Sequence, residues 1–396
     1  AFVAVRREAH IGDDVPLVAL PAGLDPARYT VTPVHIWQWH NVVRTRYADL
    51  IRDRSLVLLP EVMPAAPTAA LRTLLLPPDA AGRRRYAKVS LDIQVTSTRR
   101  TISVASTRNG PVLSALVGRL LADTDAGDRV MLLAETAGCA VVAGEDRQRD
   151  LSAILRDGLT GRLDPGEVAV PGAALCARSP VTGTTVLAEL VDRYARCRGL
   201  APSPEPSRRA EAAAAFVIEY ARLVLPPVLE LATRHGIALE AHLQNCIPTF
   251  VDGVPHRLAV RDLAGIRIHP GRLRAGARSA TGPLSAPVRL WPGSVVVTDD
   301  LDVMRAKLAY TALQAHLGEV VVSLTGSHGL AEAPAWAGVR SVVDEVYQRI
   351  GSADARGDHA FLTAPTVPHK ALLRMRLAAV AGRPGDIYTR VENPLS

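Results

Sequence analysis

The sequence predicts an α+β fold with two domains, and three features of the chain lead to this prediction. Segments with alternating apolar and polar residues are concentrated in the first half, as in residues 88–95. Long helical patterns dominate the second half, beginning with residues 208–235. The composition changes near residue 185, and a chain of 396 residues is too long for a single hydrophobic core of ordinary size. We therefore predict a mixed-sheet domain over 1–185 and an α+β domain over 186–396.

The first half combines short strands with one clear helix. Apolar runs of strand length or alternating patterns identify the strands. Pro111 opens the helical pattern of residues 111–121, a position in the first turn where proline is tolerated. The predicted strands are residues 15–20, 56–59, 88–95, 101–104, 129–143 and 166–178.

The second half opens with the long helix of residues 208–235. Pro226 and Pro227 lie inside it and are expected to kink or split it, because proline lacks an N–H group and clashes with the preceding turn. Strands are expected over residues 237–267. The later predicted helices are residues 300–326, 338–350 and 366–382.

The charge balance favours anionic partners. The 46 basic and 39 acidic residues give a net charge of +7, which suits phosphates or polycarboxylates. Nucleic acid is not expected, because the one compact basic run, residues 83–85, has no interleaved aromatic side chains. No apolar stretch has the length of a membrane span. The four cysteines lack metal-knuckle or CxxC spacing, so we expect a reducing, cytoplasmic setting.

The most informative segment lies at residues 236–245. Its alternation places Glu240, His242 and Gln244 on one face of a predicted strand, opposite an apolar face. A predicted hairpin with a turn at Asp252 returns Asp262 to the neighbourhood of Glu240. Two carboxylates beside an asparagine are suitable oxygen ligands for Mg²⁺. The alternative is that Glu240 and His242 lie on the exposed face of an edge strand and that Asp262 pairs with Arg261.

A second segment, residues 88–111, concentrates hydroxyl groups and cations. Guanidinium and hydroxyl donors suit phosphate and carboxylate oxygens. Residues 109–111 are expected to leave backbone amides free just before a helix, where an anion binds. The alternative is a basic hairpin surface without a ligand.

Four segments in order resemble motifs of the NRPS-independent siderophore synthetases of the IucA/IucC family. Residues 33–38 resemble H-P-W-Q, residues 88–111 resemble K-x-S…T-S-x-x-R-T…N-G-P, residues 240–262 resemble E-x-H-x-Q-N…R-D, and residues 370–395 resemble K-x-L…M-R-L…N-P-L. Ile36 replaces a proline of the first motif, and Leu263 replaces a phenylalanine after R-D. The family's amino-terminal thumb domain, with its G-H-P-x-H-P-x-x-K motif, has no counterpart in this sequence, so we expect either that the chain begins inside a larger protein or that the gene is short.

The resemblance implies an ATP cleft between a fingers domain and a kinase-like palm domain. It implies ATP and Mg²⁺ as cofactors, citrate or a related polycarboxylate with an amine or alcohol as substrates, and a homodimer. The implied catalytic residues are His242, Arg108 and Arg100, with Thr107 as a further candidate. The implied nucleotide-binding residues are Lys88, Ser97, Thr101, Gln244 and Asn245. The implied Mg²⁺ ligands are Glu240, Asn245 and Asp262.

Three functions follow for the chain. The first is a ligase that adenylates a carboxylate, joins it to an amine or alcohol, and releases AMP and pyrophosphate. The second is a kinase-like phosphotransferase, since a Mg²⁺ site opposite a phosphate-holding lysine serves that chemistry also. The third is an inactive ATP-binding partner, suggested by the missing front domain. AMP, ADP or no turnover distinguishes the three.

Overall fold

The computed structural model describes residues 1–15, 17–95, 99–144, 147–200, 205–276, 288–380 and 386–396. The strands are β1 (Phe2–Arg6), β2 (His10–Gly12), β3 (Tyr29–Pro33), β4 (Leu56–Leu58), β5 (Ala66–Pro67), β6 (Thr73–Leu75), β7 (Arg85–Val89), β8 (Val130–Leu132), β9 (Glu135–Val141), β10 (Ser152–Asp157), β11 (Glu167–Ala169), β12 (Ile237–Ala238), β13 (Cys246–Val251), β14 (Val254–Val260), β15 (Arg267–Ile268), β16 (Thr366–Lys370) and β17 (Tyr388–Glu392).

The helices complete an α+β architecture, which confirms the predicted class. A π-helical stretch, Ala309–Gly318, joins the ninth and tenth helices. The α-helices are α1 (Ile36–Gln38), α2 (Arg44–Arg46), α3 (Ala48–Arg52), α4 (Val104–Ala122), α5 (Gly172–Leu175), α6 (Val186–Cys197), α7 (Pro206–His235), α8 (Pro270–Gly276), α9 (Leu301–Leu308), α10 (Glu319–His328), α11 (Glu332–Ile350), α12 (Ala353–Leu362) and α13 (Leu372–Val380).

An antiparallel sheet in the order β2-β9-β10-β7-β6-β5 presents one apolar and one charged face. Lys88 of β7 pairs in register with Ile154 of β10, so Lys88 and Arg156 lie on the same face. Ala87 and Leu155 point to the opposite face and join a hydrophobic cluster there. The strand predicted over residues 88–95 is therefore confirmed only at Lys88 and Val89, where β7 ends, and residues 90–93 lie outside any strand.

A second sheet, in the order β11-β13-β14-β8, is connected to the first by a short segment of chain. Its strand β8 runs parallel to β14, pairing Leu132 with Val260. The chain then crosses to β9 of the first sheet within two residues, and the Leu133 amide donates to the Val260 carbonyl, 2.9 Å away. This short crossing sets Glu135, the first residue of β9, near the end of β14.

The helix predicted from Pro111 begins seven residues earlier, and the strand predicted at 101–104 is absent. Ser103 caps α4 by accepting from the Ser106 amide, 3.1 Å away. Pro111 thus lies inside the helix and leaves the Thr107 carbonyl without its usual i+4 donor. Gly138 of β9 packs against this carbonyl, where a Cβ would come within 2.1 Å of the oxygen. Residues 109–111 therefore form no amide nest in front of the helix.

The long helix α7 continues through Pro226 and Pro227 without being split. Of the two predicted alternatives, a kink or a split, the split does not occur, because tertiary burial outweighs the roughly 3 kcal/mol that an internal proline costs. Leu225, Val228 and Leu229 are fully buried in the largest hydrophobic cluster, against which α11 packs. By length and apolar composition α7 alone among the described helices would cross a membrane, yet 67% of its apolar window is buried, as in core helices.

Several other predicted strands and helices differ from the structure in type or in their first residue. Within the described residues, 15–20 form no strand, and residues 366–382 begin with β16 before α13, because β16 pairs with the chain's last strand β17. The helix at 338–350 begins earlier, and α12 was not predicted. The domain division at residue 185 stays a prediction.

Candidate active site

A cavity of about 570 Å³ lies between the charged face of the six-stranded sheet and the loops that leave β12 and β14. Both segments that the sequence singled out reach it, one from each half of the chain. The predicted residues that line it are Lys88, Arg100, Glu240, His242, Gln244, Asn245 and Asp262.

A chain of ion pairs forms the floor of this cavity. The Lys88 ammonium lies 2.7 Å from Asp262 Oδ2, and Arg156 Nη2 lies 3.6 Å from the same oxygen. Arg156 Nη2 also donates to Glu135 Oε1 at 2.7 Å, and both residues of that pair are almost fully buried. Burial by itself would raise the pKa of Asp262, but Lys88 and Arg156 outweigh it and hold that pKa well below its ordinary value. Asp262 is therefore ionised throughout the neutral range.

Asp262 has a left-handed backbone, with φ of +67°. Few residues other than glycine adopt this conformation, and aspartate and asparagine are among them. The preceding Arg261 anchors the turn, because its guanidinium donates twice to the Gln244 carbonyl, at 3.1 and 2.8 Å. This anchoring holds the Asp262 backbone in a conformation that an unconstrained chain would avoid.

The segment that carries Glu240, His242 and Gln244 is a loop and not a strand. β12 ends at Ala238, and residues 242–245 turn directly into β13. The Asn245 amide group donates to the Glu240 carbonyl at 3.1 Å. This bond closes the loop and brings the three side chains to the cavity, whereas a continued strand would have carried them along one line. The hairpin of β13 and β14 with its turn at Asp252 is confirmed.

Glu240 already has a cationic partner. Lys307 of α9, only 4% exposed, places its ammonium 2.7 Å from Glu240 Oε1. The second oxygen lies against Gly265, where a Cβ would come within 1.8 Å, and 4.0 Å from His242 Nε2. Burial lowers the pKa of His242, and the Glu240 charge only partly opposes this. The imidazole is thus neutral at pH 7 and able to accept a proton.

A second histidine, His316, supports this loop from beneath. It is fully buried, with Nδ1 2.8 Å from the Ala241 carbonyl and Nε2 2.8 Å from the Tyr220 hydroxyl. A carbonyl only accepts, so Nδ1 carries the proton and Tyr220 donates to Nε2. In this neutral tautomer His316 donates a hydrogen bond to the carbonyl of Ala241, the residue between Glu240 and His242, and so fixes the loop.

Acidification is expected to destabilise the protein through His316. Burial lowers its pKa from 6.5 to about 4. Its contribution is complete above the unfolded value of 6.5 and is lost as the pH falls from there towards about 4, amounting to about 2 kcal/mol by pH 5. Urea unfolding of the wild type and His316→Gln at pH 7.5 and 5 measures this. The variant should be less stable at pH 7.5 and lose less on acidification; an equal loss in both proteins would contradict the assignment.

Three of the predicted residues that the structure describes, Thr101, Thr107 and Arg108, do not line this cavity. Thr101 accepts a bond from Arg72 through its carbonyl at 2.6 Å and one from Arg149 through its hydroxyl at 3.3 Å. Arg108 on α4 lies 3.9 Å from Asp13 and is 40% exposed. Ser97 falls outside the described residues. The roles implied for these residues stay predictions.

The sequence reasoning missed three cations at the site, Arg72, Arg156 and Lys307. Arg72 lines the cavity, and its burial lowers its pKa. Arg156 occupies an otherwise buried strand of sequence SAILRD, and Lys307 occupies the buried side of α9. A charged residue at a core-facing position signals a buried partner, and that signal was available in both patterns.

The donor set fits a nucleotide with Mg²⁺. Arg72, Lys88 and Arg100 offer positive charge to phosphates, and the oxygens of Asp262, Glu240 and Asn245 suit Mg²⁺. Lys88 and Lys307 neutralise the two carboxylates in this structure. A metal ion therefore has to share each carboxylate with a lysine.

Two family models match the chain. The first, described as the IucA / IucC family, matches residues 10–177, and the second, described as a ferric iron reductase FhuF-like transporter, matches residues 214–385. D-ornithine–citrate ligase of Staphylococcus aureus is 25% identical over 393 residues, covering 93% of this chain and 56% of that ligase. A citryl-spermidine/3,4-dihydroxybenzoyl-citryl-spermidine:spermidine ligase of Bacillus anthracis is 31% identical over 249 residues, covering 61% and 37% respectively.

Residues 10–177 of the chain match the IucA / IucC family, and the chain resembles citrate-using ligases along most of its length. The resemblance read from the four motifs is thereby confirmed. The chain spans somewhat over half the length of the first curated relative, 56% of it. Both matched regions contribute to the lining of the cavity, since Lys88 lies in the first and Asp262 in the second.

Solved structures of this family share the fold. The petrobactin biosynthesis protein AsbB of Bacillus anthracis superposes with a TM-score of 0.82 at 22% identity, covering all of this chain and 67% of AsbB. ATP-bound aerobactin synthetase IucA of Klebsiella pneumoniae gives 0.73 at 20% identity, covering all of this chain and 69% of that synthetase. At this identity the likeness concerns architecture.

Proposed function

We propose that this protein is a cytoplasmic, ATP-dependent siderophore synthetase. It adenylates a carboxylate, citrate in first place, and condenses it with an amine or alcohol, releasing AMP and pyrophosphate. The observation that carries the proposal is the single cavity in which Arg72, Lys88 and Arg100 face Asp262 and Glu240. The names of the citrate ligases among its relatives support citrate as the acid.

The chemistry explains why cations line this cavity. A carboxylate that attacks the α-phosphate brings two anions together, so preorganised positive charge lowers the barrier. Arg72, Lys88 and Arg100 would supply that charge to the phosphates. Asp262, Glu240 and Asn245 would hold Mg²⁺, which when bound neutralises and orients the phosphates.

The second step needs a group that moves a proton near the acyl carbon. His242 is neutral at pH 7 because burial lowers its pKa, and it lines the same cavity. We assign it to hydrogen bonding with the carboxylate substrate and to accepting a proton from the attacking amine or hydroxyl. In this scheme residues 1–185 are the fingers and residues 186–396 the palm of the nucleotide cleft.

A hydroxamate screen tests the function. The protein is incubated with Mg·ATP, hydroxylamine and one of citrate, 2-oxoglutarate or succinate, and hydroxamate, pyrophosphate and ADP are measured. Hydroxamate and pyrophosphate with citrate are the expected products. ADP as the nucleotide product would favour a phosphotransferase instead, and absence of all products would favour a non-catalytic ATP-binding partner.

Replacing Arg100 by alanine is expected to lower hydroxamate formation at least about 100-fold, because a charge aimed at the phosphates is lost. Arg99→Ala is the matched control, since Arg99 is 59% exposed in its side chain and pairs with Asp92 at 2.6 Å. The control should retain wild-type turnover. Equal activities of the two variants would remove Arg100 from the site.

A further inference from the structure

A second cavity of about 380 Å³ adjoins the first, and Ala264 lines both. Its walls come from the first turns of α4, from Glu135 at the start of β9, and from residues 293–296. Asn109 holds this last segment in place, because its amide group donates to Ser294 Oγ at 2.9 Å and accepts from the Trp291 amide at 2.7 Å. The wall formed by residues 293–296 is therefore fixed by side-chain hydrogen bonds to α4.

Charges of both signs face this cavity. Glu135 is 2% exposed, and one of its oxygens accepts from Arg156. The other oxygen lies against Gly110, where a Cβ would come within 2.4 Å, so glycine opens this side to the carboxylate. The positive charge is that of Arg149, which donates to the Thr101 hydroxyl at 3.3 Å. Among the residues that the structure describes, which leave out 145–146 next to it in sequence, Arg149 forms no ion pair.

The two cavities are also joined electrostatically. Arg156 Nη2 lies 2.7 Å from Glu135 of the second cavity and 3.6 Å from Asp262 of the first. One guanidinium interacts with both carboxylates. A cation bound at Glu135 would therefore weaken the ion pair between Glu135 and Arg156 and strengthen the interaction of Arg156 with Asp262.

We infer that the second cavity binds the amine or alcohol co-substrate, and that this co-substrate is an amino acid. Glu135 takes its α-ammonium group and Arg149 its α-carboxylate, while Leu113 and Val296 pack against the methylene chain. The side-chain amine or hydroxyl then extends past Ala264 towards the acyl group in the first cavity. The reaction in this inference rests on the proposed function. The binding of the amino acid rests on this cavity alone.

The step balances as an acyl transfer. The neutral side-chain amine attacks the acyl carbon and a C–N bond forms. The bond from that carbon to the phosphate oxygen breaks, AMP leaves with the electron pair, and the proton released from nitrogen passes to His242 or water. No oxidant or further co-reactant is needed.

Filling the cavity separates this site from the nucleotide site. Val295→Trp, and Ala105→Phe from the opposite wall, are expected to raise the KM for ornithine at least about tenfold, because each occupies the amine's space. Citrate-dependent exchange of labelled pyrophosphate into ATP needs no amine and should stay within about twofold of wild type. Val297→Trp is the matched control, two residues along the same loop and outside the cavity. An equal loss of exchange and of amide formation, or an unchanged KM in both variants, would overturn the inference.

Matched amines test the class of co-substrate. Wild type should prefer ornithine over putrescine, and lysine over cadaverine, at least about tenfold in kcat/KM, since each pair differs by the carboxylate. Arg149→Gln should remove this preference. Equal use of an amino acid and its decarboxylated partner would overturn the assignment of Arg149.

Calorimetry without ATP keeps the two proposals apart. Ornithine or lysine alone should bind to wild type and not to Val295→Trp. If no carboxylate supports exchange but this binding difference is found, the proposed reaction fails and the site stands. If exchange is found but neither amino acid binds or reacts, the reaction stands and the site fails.

Discussion

Replacing Asp262 by asparagine is expected to lower carboxylate adenylation at least about a thousandfold. The Asp262 carboxylate compensates the charges of Lys88, 2.7 Å away, and Arg156, 3.6 Å away. Its loss leaves the buried Lys88 ammonium without its carboxylate partner and removes a proposed Mg²⁺ ligand, two effects that each cost several kcal/mol. Asparagine tolerates the left-handed backbone at φ +67°, so the substitution changes the charge and keeps the turn.

The same hairpin supplies the control. Asp252 at its turn also has a left-handed backbone, with φ of +50°, but it pairs with exposed Arg193 and is 64% exposed in its side chain. Asp252→Asn should keep wild-type activity. Pyrophosphate exchange with citrate, or with whichever acid the screen identifies, measures both variants, and circular dichroism checks their fold. Retention of more than a tenth of the wild-type rate by Asp262→Asn would remove this carboxylate from the chemistry.

Replacing Asp358 by alanine is expected to destabilise the protein by about 4 kcal/mol. Asp358, 3% exposed, accepts bonds from both terminal nitrogens of Arg272 at 2.7 and 2.9 Å, and from Arg305 Nε at 2.8 Å. Thr233 donates to it as well, at 2.8 Å. The carboxylate thus ties α7, α8, α9 and α12 together. Truncating one partner of such a buried cluster leaves the arginines desolvated and uncompensated.

Asp354, one turn earlier on α12, is the matched control. It lies 3.3 Å from the same arginine, Arg272, but its side chain is 56% exposed. Exposed ion pairs contribute about 0–1 kcal/mol, so Asp354→Ala should unfold close to the wild type. Urea denaturation followed by circular dichroism compares the two variants. Similar unfolding midpoints for both would show that burial of the cluster contributes little.

Local patterns predicted the parts of the site that depend on one element. The turn residues near Asp252 identified the hairpin that returns Asp262 to the cavity, and the alternation read from Lys88 onward is correct only for the last two residues of β7. Both signals are local, since strand period and turn chemistry act over a few residues.

Local patterns were wrong where a distant partner decides the backbone. The segment after Ala238 alternates like a strand, yet it leaves the sheet because His316 holds Ala241 and Asn245 closes the loop. A local signal was missed as well, since Pro111 looks like a helix start, yet α4 begins at Val104 with Ser103 as its cap.

The sequence by itself determined the α+β class, the family motifs and the set of polar side chains available for chemistry. Only the tertiary structure decided how their charges are paired: Lys88 with Asp262, Glu240 with Lys307, and Arg156 between two carboxylates. A periodic pattern specifies which face of an element is turned inward. It does not specify which other element covers that face, because the partner is separated along the chain and is selected by packing of the whole domain.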